Sequence, residues 1–310
     1  MDFLKDKEID ESAKGMTMAS LKKSRQIRRD LISKYGMIPS SILKQKRADK
    51  ALDLSHTKRD YRKGIKKSLI RKGMSKIEAE IFETRYAPSG QGGLSKFPQN
   101  VGRLIVNFYC PEKGIVYDPF AGHNSRMELV YETKRSYIGV DVSKEFMEDN
   151  WKIKNLLLSE NVLIKNPAEI TLIEGSSAKG DLPDNYADFT ITSPPYWDIE
   201  YYGDEPEQLG KNKTYDSFLD SLSLHIQENY RILKPSSFCA WFVNDFKKGG
   251  VLLPYHSDLI YFFQEAGFEL FSIYIVDLGN TFGEIFAQQI EKTKVFPKRH
   301  EYCLLFQKPK

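Results

Sequence analysis

The tetrapeptide Ser193-Pro194-Pro195-Tyr196, followed by Trp197, carries the side chains of this sequence that are best suited to chemistry. Proline fixes φ and lacks a backbone donor, so Ser193 Oγ and the Pro194 carbonyl are expected to be two acceptors held close together. Such a pair suits the exocyclic amino group of a nucleobase, because gripping its hydrogens frees the nitrogen lone pair for attack. The rings of Tyr196 and Trp197 could stack on that base. The alternative interpretation is a Pro-Pro turn at a strand end, with a tyrosine in the core.

Four hydrophobic segments predict the strands that would position this turn. They are Gly114–Tyr117 before Asp118, Ser136–Asp141, Ile170–Glu174 and Tyr186–Thr192, and polar groups stand at the end of each. Parallel strands bring their carboxyl ends to one edge of a sheet, where open α/β folds bind their ligands. An acid at the end of the second strand, here Asp141, typically binds ribose hydroxyls. The sequence therefore predicts a doubly wound α/β sheet with a nucleotide-type site.

The blocks Asp-Pro-Phe-Ala-Gly at 118–122 and Thr-Ser-Pro-Pro-Tyr-Trp at 192–197 together resemble the S-adenosylmethionine-dependent DNA amino-methyltransferases. That family methylates N4 of cytosine or N6 of adenine. The resemblance extends over roughly residues 94 to 310, and the pair of motifs is far more specific than either motif alone. It implies a Rossmann-like methyltransferase sheet with an antiparallel terminal strand, S-adenosylmethionine as cofactor and double-stranded DNA as partner.

The resemblance also implies which residues bind the cofactor. The segment at 97–98 matches one that helps hold the methionine end, the loop at 120–122 matches one that wraps the cofactor, and the acid at 141 matches the ribose ligand. The implied set is Phe97, Pro98, Asp118, Phe120, Ala121, Gly122, Asn124, Asp141 and Ser176. Two positions depart from the family pattern: His123-Asn124 follow Gly122 in place of Ser-Gly, and Ser176 replaces an acid. Asparagine tolerates left-handed backbone geometry, which would preserve the turn.

The mechanism expected from this resemblance starts with a base flipped out of the duplex, since a stacked amino group cannot meet the methyl donor. The catalytic set is Ser193, Pro194, Pro195 and Tyr196, with the serine and the first proline carbonyl orienting the amine and the tyrosine holding the ring. A C5-cytosine methyltransferase would need a cysteine after a proline, and the sequence contains no Pro-Cys dipeptide. Serine at the first motif position favours N4 of cytosine over N6 of adenine.

Two alternative functions remain open at this stage. One is an amino-group methyltransferase that acts on RNA or on a protein glutamine, since related Pro-Pro-Tyr turns orient amides as well. The other is a catalytically silent DNA-binding module, which the departures at 123–124 and 176 make conceivable.

Basic residues are concentrated at the amino-terminal end. Residues 1–96 hold 24 Lys and Arg against 12 Asp and Glu, a net charge of +12, whereas the whole chain carries +4. Two basic runs, at 22–29 and 58–72, predict helices that could follow phosphates without sequence preference. One such run alone is often only a solvated face. We expect residues 1–93 to form a mainly helical DNA-contacting region with its linker, and residues 94–310 to form the methyltransferase domain.

Residues expected to contact the DNA come from both regions. They are Arg28, Arg29, Arg62 and Lys66 on the basic helices, and Trp197, Tyr201 and Tyr202 at or just after the Pro-Pro motif. The loops at 198–213 and 278–298 are expected to assist in target recognition. The sequence does not identify a restriction endonuclease partner.

The composition argues against a membrane protein, a secreted protein and a metal-binding protein. No apolar run approaches a membrane span and the first residues lack the core of a signal peptide, so a cytoplasmic protein without membrane attachment is expected. Cys110, Cys239 and Cys303 are interpreted as buried free thiols. The five histidines show no ligand spacing, and no metal is expected.

Overall fold

The computed structural model describes residues 18–35, 39–45, 97–164, 167–199, 204–278 and 298–310, together with the single residues 290, 294 and 296. The chain divides into two compact units, Met1–Pro39 and Ser40–Lys310. The first unit contains helix α1 (Met18–Tyr35), which confirms the first predicted basic helix. Arg28 and Arg29 are exposed on it.

The second unit is built on one eight-stranded sheet with helices between the strands. Its elements in chain order are β1 (Ile42–Lys44), α2 (Gln99–Tyr109), β2 (Ile115–Asp118), α3 (Ser125–Glu132), β3 (Ser136–Asp141), α4 (Lys144–Ile164), β4 (Ile170–Glu174), β5 (Ala187–Thr192), a short 3₁₀ turn (Leu209–Lys211), α5 (Tyr215–Ile232), β6 (Leu233–Val243), β7 (Phe246–Lys248), β8 (Val251–Leu253), α6 (Tyr255–Glu265), β9 (Glu269–Asp277) and β10 (His300–Gln307). Strands β7 and β8 form a separate hairpin.

The strand order in the large sheet is β1-β9-β10-β6-β5-β2-β3-β4. Neighbouring strands are parallel except at β10, which runs antiparallel to both β6 and β9. The predicted doubly wound α/β sheet and its antiparallel terminal strand are therefore confirmed. Because the chain turns to opposite sides after β2 and after β5, a crevice opens at the carboxyl ends of these two strands.

The central strands are apolar along their length because helices cover both faces of the sheet. On β6, Phe242 packs against Phe97 beside α2, with ring centroids 4.7 Å apart. The adjacent Trp241 points the other way and packs against Phe263 of α6 at 4.9 Å. All three cysteines are buried and free, as expected. Within the described ranges, no helix combines the length and the apolar character needed to cross a membrane.

Strand β1 is an element that sequence reasoning did not predict. It lies inside the segment expected to be a helical DNA-contacting region, yet it pairs in parallel with β9 at the sheet edge. Leu43 is buried there, and Asn100 Nδ2 of α2 donates to the Lys44 carbonyl at 2.9 Å. A three-residue strand has too little periodicity to be recognised, and its partner lies far along the chain. The compact unit that holds the sheet therefore begins at Ser40, and the predicted domain division at residues 93 and 94 stays a prediction.

Candidate active site

A cleft with about 970 Å³ of space, open to solvent, lies at the carboxyl ends of β2, β3 and β5. Its walls include many of the residues predicted from sequence, namely Phe97, Pro98, Phe120, Gly122, Asp141, Ser193, Pro194, Pro195 and Tyr196. Residues that are far apart in the sequence thus meet at the carboxyl ends of β2 and β5, where the strand order of the sheet reverses direction.

The Pro-Pro turn presents two unoccupied acceptors to this cleft. Among the described residues, neither Ser193 Oγ nor the Pro194 carbonyl receives a hydrogen bond, whereas the Pro195 carbonyl accepts one from Tyr255 of α6 at 3.1 Å. The turn is therefore fixed from outside the cleft by its second proline. Its serine and its first proline remain available to a ligand.

The two aromatic residues of the motif have different surroundings. Tyr196 lines the cleft and is packed edge-on by Phe246 and Tyr255, with centroid distances of 6.1 and 5.9 Å. Trp197 has a left-handed backbone, φ 41°. Its indole nitrogen donates to the Asn212 carbonyl at 2.8 Å. The structure therefore does not bring Trp197 to the cleft wall.

Asp118 lies behind the cleft, fully buried at the end of β2. Its Oδ2 accepts from Arg126 Nε at 2.7 Å and from the Tyr137 hydroxyl at 2.8 Å. Its Oδ1 accepts from Thr192 Oγ1 at 2.6 Å. The carboxylate thereby ties the end of β2 to the end of β5, one residue before Ser193.

Arg126 of α3 is a residue that the sequence reasoning missed, and it holds the loop after β2. It is buried, and its Nη2 donates to the carbonyls of Phe120 and Ala121, the latter at 3.1 Å. Its guanidinium also lies 5.3 Å from the centroid of the Phe97 ring. The sequence gives no signal for this burial, because Arg126 stands on a helix that also carries Glu128 and Glu132.

Asp141 is the acidic group that faces the cleft from β3. Its Oδ2 accepts from the Gly122 amide at 2.7 Å and its Oδ1 from the Ser143 amide at 2.9 Å. Burial raises the pKa of Asp141 to about 6, and the two amides only partly oppose this effect. A carboxylate has about four lone-pair directions, so both oxygens can still accept from a ligand.

The turn after β2 uses a different residue from the one expected. Gly122 takes the left-handed conformation, φ 51°, while Asn124 is right-handed with φ −54°. The expectation that Asn124 supplies left-handed geometry is therefore wrong. Asn124 and Ala121 are buried, and the Asn124 amide donates to Glu128 at 3.2 Å. Neither residue reaches the cleft wall.

Ser176 is also absent from the cleft wall, where its neighbour Ser177 is present. Ser177 Oγ is 2.7 Å from the Pro119 carbonyl and 2.7 Å from His225 Nδ1. Burial lowers the pKa of His225 to about 4, so the ring is neutral at pH 7. The single hydroxyl proton goes to the carbonyl, so His225 Nδ1 must donate, and Nε2 is left as an acceptor. A lone histidine on a helix gave no sequence signal for this pair.

A carboxylate from the last strand completes the cleft. Glu301 of β10 lines the wall beside Tyr196, whose hydroxyl donates a hydrogen bond to it. Burial raises the pKa of Glu301 to about 7. The sequence did not identify this residue because its neighbours in the cleft come from distant parts of the chain.

The remaining predicted DNA-contacting residues lie outside the described residues or in the amino-terminal unit. Arg62, Lys66, Tyr201 and Tyr202 lie outside the described residues, as does most of the segment 278–298. Arg28 and Arg29 belong to the separate amino-terminal unit. Their contacts with DNA stay predictions.

Comparison with known proteins agrees with the motifs. The family described as DNA methylase matches residues 20–152 and 187–310. The Type II beta methyltransferase M.BslI of Bacillus sp. (strain NEB-606) is 30% identical over 131 residues, which cover 38% of this chain and 14% of that protein. The chain thus corresponds to a small part of the length of this relative.

Two solved structures are also similar. A SAM-dependent methyltransferase from Methanosarcina mazei has 13% identity and a TM-score of 0.47, covering 70% of this chain and 99% of its own. A chain assigned as a DNA modification methylase from Thermus thermophilus has 25% identity and a TM-score of 0.31, covering 42% and 48% respectively.

Proposed function

This chain belongs to the DNA methylase family, and we propose that it transfers a methyl group to N4 of a cytosine flipped out of double-stranded DNA. Members of the family take that group from S-adenosylmethionine. The observation that carries the proposal is a pair of acceptors, Ser193 Oγ and the Pro194 carbonyl, that receive no hydrogen bond from the described residues and lie on the wall of a cleft at the switch point of the sheet.

The chemistry of the cleft fits S-adenosylmethionine. Asp141 offers carboxylate oxygens suited to ribose hydroxyls, and Val142 and Phe146 supply apolar surface suited to adenine. A side chain at Gly175 would meet no atom of the described residues within 4 Å, so this part of the wall leaves room for a ligand. When bound, the cofactor supplies a methyl group on a positively charged sulfur, which is a good leaving group.

The residues of the chain act on the amine of the base. Ser193 Oγ and the Pro194 carbonyl accept its two hydrogens, which draws the nitrogen toward tetrahedral geometry and frees its lone pair. Tyr196 supports the ring from the cleft wall. Asp118 fixes the serine in place through Thr192, so the acceptors are already arranged before the base arrives.

The preference for cytosine rests on the first residue of the motif. A serine hydroxyl is a short neutral acceptor, and the smaller cytosine ring can approach it more deeply than adenine. To test the proposed function, the chain is expressed in a host free of DNA methylation and the nucleosides of its DNA are separated by mass. N4-methylcytosine is expected. N6-methyladenine alone would contradict the cytosine assignment, and methylation of RNA or protein without DNA would contradict the function.

S-adenosylmethionine affinity is expected to fall as the pH drops through about 6. The carboxylate of Asp141, whose pKa is about 6, accepts ribose hydroxyls best when ionised, so its protonation weakens binding by at most about tenfold per pH unit. In Asp141→Asn this dependence disappears and affinity is lower by about 1–3 kcal/mol. Calorimetry across pH measures both effects. Glu169→Gln removes an exposed carboxylate just before β4, beside the amino-terminal end of β3 and so far from Asp141 at its carboxyl end, and serves as the control. A pH dependence retained in Asp141→Asn would contradict the assignment.

The amino-terminal unit is expected to supply electrostatic affinity for DNA. Replacing exposed Arg28 and Arg29 with glutamine should reduce the slope of log affinity against log salt by about 2, because each phosphate contact contributes about 0.9. Removal of Met1–Pro39 should flatten the slope further, without changing S-adenosylmethionine binding. A cut at residue 39 keeps β1 in the sheet. If the slope of log affinity against log salt is unchanged in both variants, α1 does not contact DNA phosphates, and its basic side chains face solvent or another protein.

A further inference from the structure

We propose that Glu301 is the proton acceptor for the amino group during methyl transfer, an inference that rests on the proposed function. Its place on the cleft wall beside the Ser193–Tyr196 motif is the first support. Ser193 and Pro194 grip the amine but cannot keep its proton, since a hydroxyl and a carbonyl are very weak bases. A carboxylate close to the same motif supplies the missing group.

The hydrogen bond from Tyr196 fixes this carboxylate relative to the motif. Tyr196 follows β5 and Glu301 lies on β10. Strand β6 pairs with both β5 and β10, so the large sheet fixes the positions of the two residues relative to each other. The hydroxyl of Tyr196 occupies one of the lone-pair directions of the carboxylate, and the others remain for a ligand. Tyr196 thereby acts as a positioning residue for Glu301 as well as a support for the base.

The cations near Glu301 are engaged elsewhere. Arg126 is bound to Asp118 and to the loop carbonyls, and Lys298 Nζ donates to the Asp245 carbonyl. Among the described residues, no salt bridge involves Glu301. A carboxylate in a closed ion pair would be a poor base, whereas this one keeps its affinity for a proton.

The charged and titratable groups that face Glu301 are Tyr196, Arg126, Lys298 and Cys303. Burial raises the pKa of Glu301, and the first three groups lower it, with a result of about 7. The thiol of Cys303 has a pKa well above its ordinary value because of burial, so it stays neutral. A base with a pKa near 7 is half ionised at neutral pH and is well matched to proton transfer there.

The proton balance of the step is as follows. The nitrogen lone pair forms a bond to the methyl carbon while the sulfur–carbon bond breaks and leaves its electrons on sulfur. The nitrogen then carries one hydrogen too many and a positive charge. That proton passes to the Glu301 carboxylate, giving a neutral methylamino group and a neutral carboxylic acid. The acid returns the proton to solvent through the open mouth of the cleft.

The test is the pH profile of the single-turnover methylation rate on unmethylated DNA, between about pH 5.5 and 8.5, with S-adenosylmethionine saturating at every pH so that titration of Asp141 does not enter the rate. In the native chain the rate should rise about tenfold per pH unit below about 7 and level off above it, because Glu301 must be ionised to accept a proton. Glu301→Gln should be slower by about 10²-fold on the plateau, with a flat profile. The hydrogen bond from Tyr196 lowers the pKa of Glu301. Tyr196→Phe removes this bond, so the pKa of Glu301 should rise and the midpoint of the rate profile should move to higher pH. Glu269→Gln, which removes an exposed carboxylate from β9, should match the native chain.

A second measurement is independent of turnover. Carbon-13 NMR of glutamate carboxyl groups in the cofactor-free chain should show one resonance that titrates near pH 7 and is absent in Glu301→Gln. If the native chain methylates DNA and Glu301→Gln keeps its rate and profile, the inference is wrong while the proposed function stands. A Glu301→Gln variant that loses S-adenosylmethionine affinity but retains the native pH profile would also overturn it, by assigning the carboxylate to the cofactor. If no DNA is methylated by the native chain at any pH, the proposed function itself fails.

Discussion

Ser193→Ala is expected to lower the single-turnover methylation rate about 10²- to 10³-fold, while S-adenosylmethionine affinity stays within about twofold. The hydroxyl faces the cleft without a hydrogen-bond partner among the described residues, so its removal costs little in the free protein. Its acceptor becomes important only as the amine changes geometry toward attack. The loss should therefore appear in the rate of the chemical step.

Rapid-quench kinetics with saturating DNA, together with calorimetry for the cofactor, would measure these two quantities separately. Ser223→Ala removes an exposed hydroxyl from α5 and is the matched control. A Ser193→Ala variant that lost cofactor affinity and kept its single-turnover rate would place the serine in the cofactor pocket instead. Circular dichroism would show whether Ser193→Ala is folded, and so whether a lower rate is due to the lost hydroxyl or to unfolding.

Arg126→Met is expected to lower the free energy of unfolding by about 3–5 kcal/mol. The substitution leaves the buried carboxylate of Asp118 without its cation, although Tyr137 and Thr192 still donate to it. An uncompensated buried charge is much more costly than the loss of an exposed ion pair. The loop carbonyls of Phe120 and Ala121 also lose their donor.

Urea denaturation monitored by circular dichroism gives this free energy directly. Arg103→Met is the control, because Arg103 and Glu132 form a partly exposed pair with side chains 29% and 42% accessible, and its loss should cost at most about 1 kcal/mol. The double variant Asp118→Asn with Arg126→Met should recover part of the stability, since the buried charge is gone. Equal losses in the two single arginine variants would refute the structural role of the buried pair.

The strands of the central sheet were predictable because each is a short apolar run that ends in a polar group. Ser136–Asp141 and Ile170–Glu174 have the predicted bounds, and the position of Asp141 at the cleft followed from them. The family motif placed Ser193 and Tyr196 in the same way. Local sequence determines these features, so local reasoning found them.

The missed residues depend on contacts between distant parts of the chain. Arg126 is buried only because Asp118 is there to receive it, and a buried arginine leaves no periodic signal. Glu301 and His225 reach the cleft through the packing of β10 and α5, elements whose own patterns show only that they belong to the core. Strand β1 exists because β9 offers an edge, which no property of residues 42–44 reveals.

The short strand β1 has a consequence for how the chain can be shortened. It covers part of the outer edge of β9 by pairing with Ile275–Asp277, and the Asn100 amide of α2 donates to the Lys44 carbonyl. An uncovered strand edge is a template for pairing with another chain. A chain cut after Lys44 is therefore expected to self-associate, whereas one that begins at Ser40 keeps this part of the edge paired.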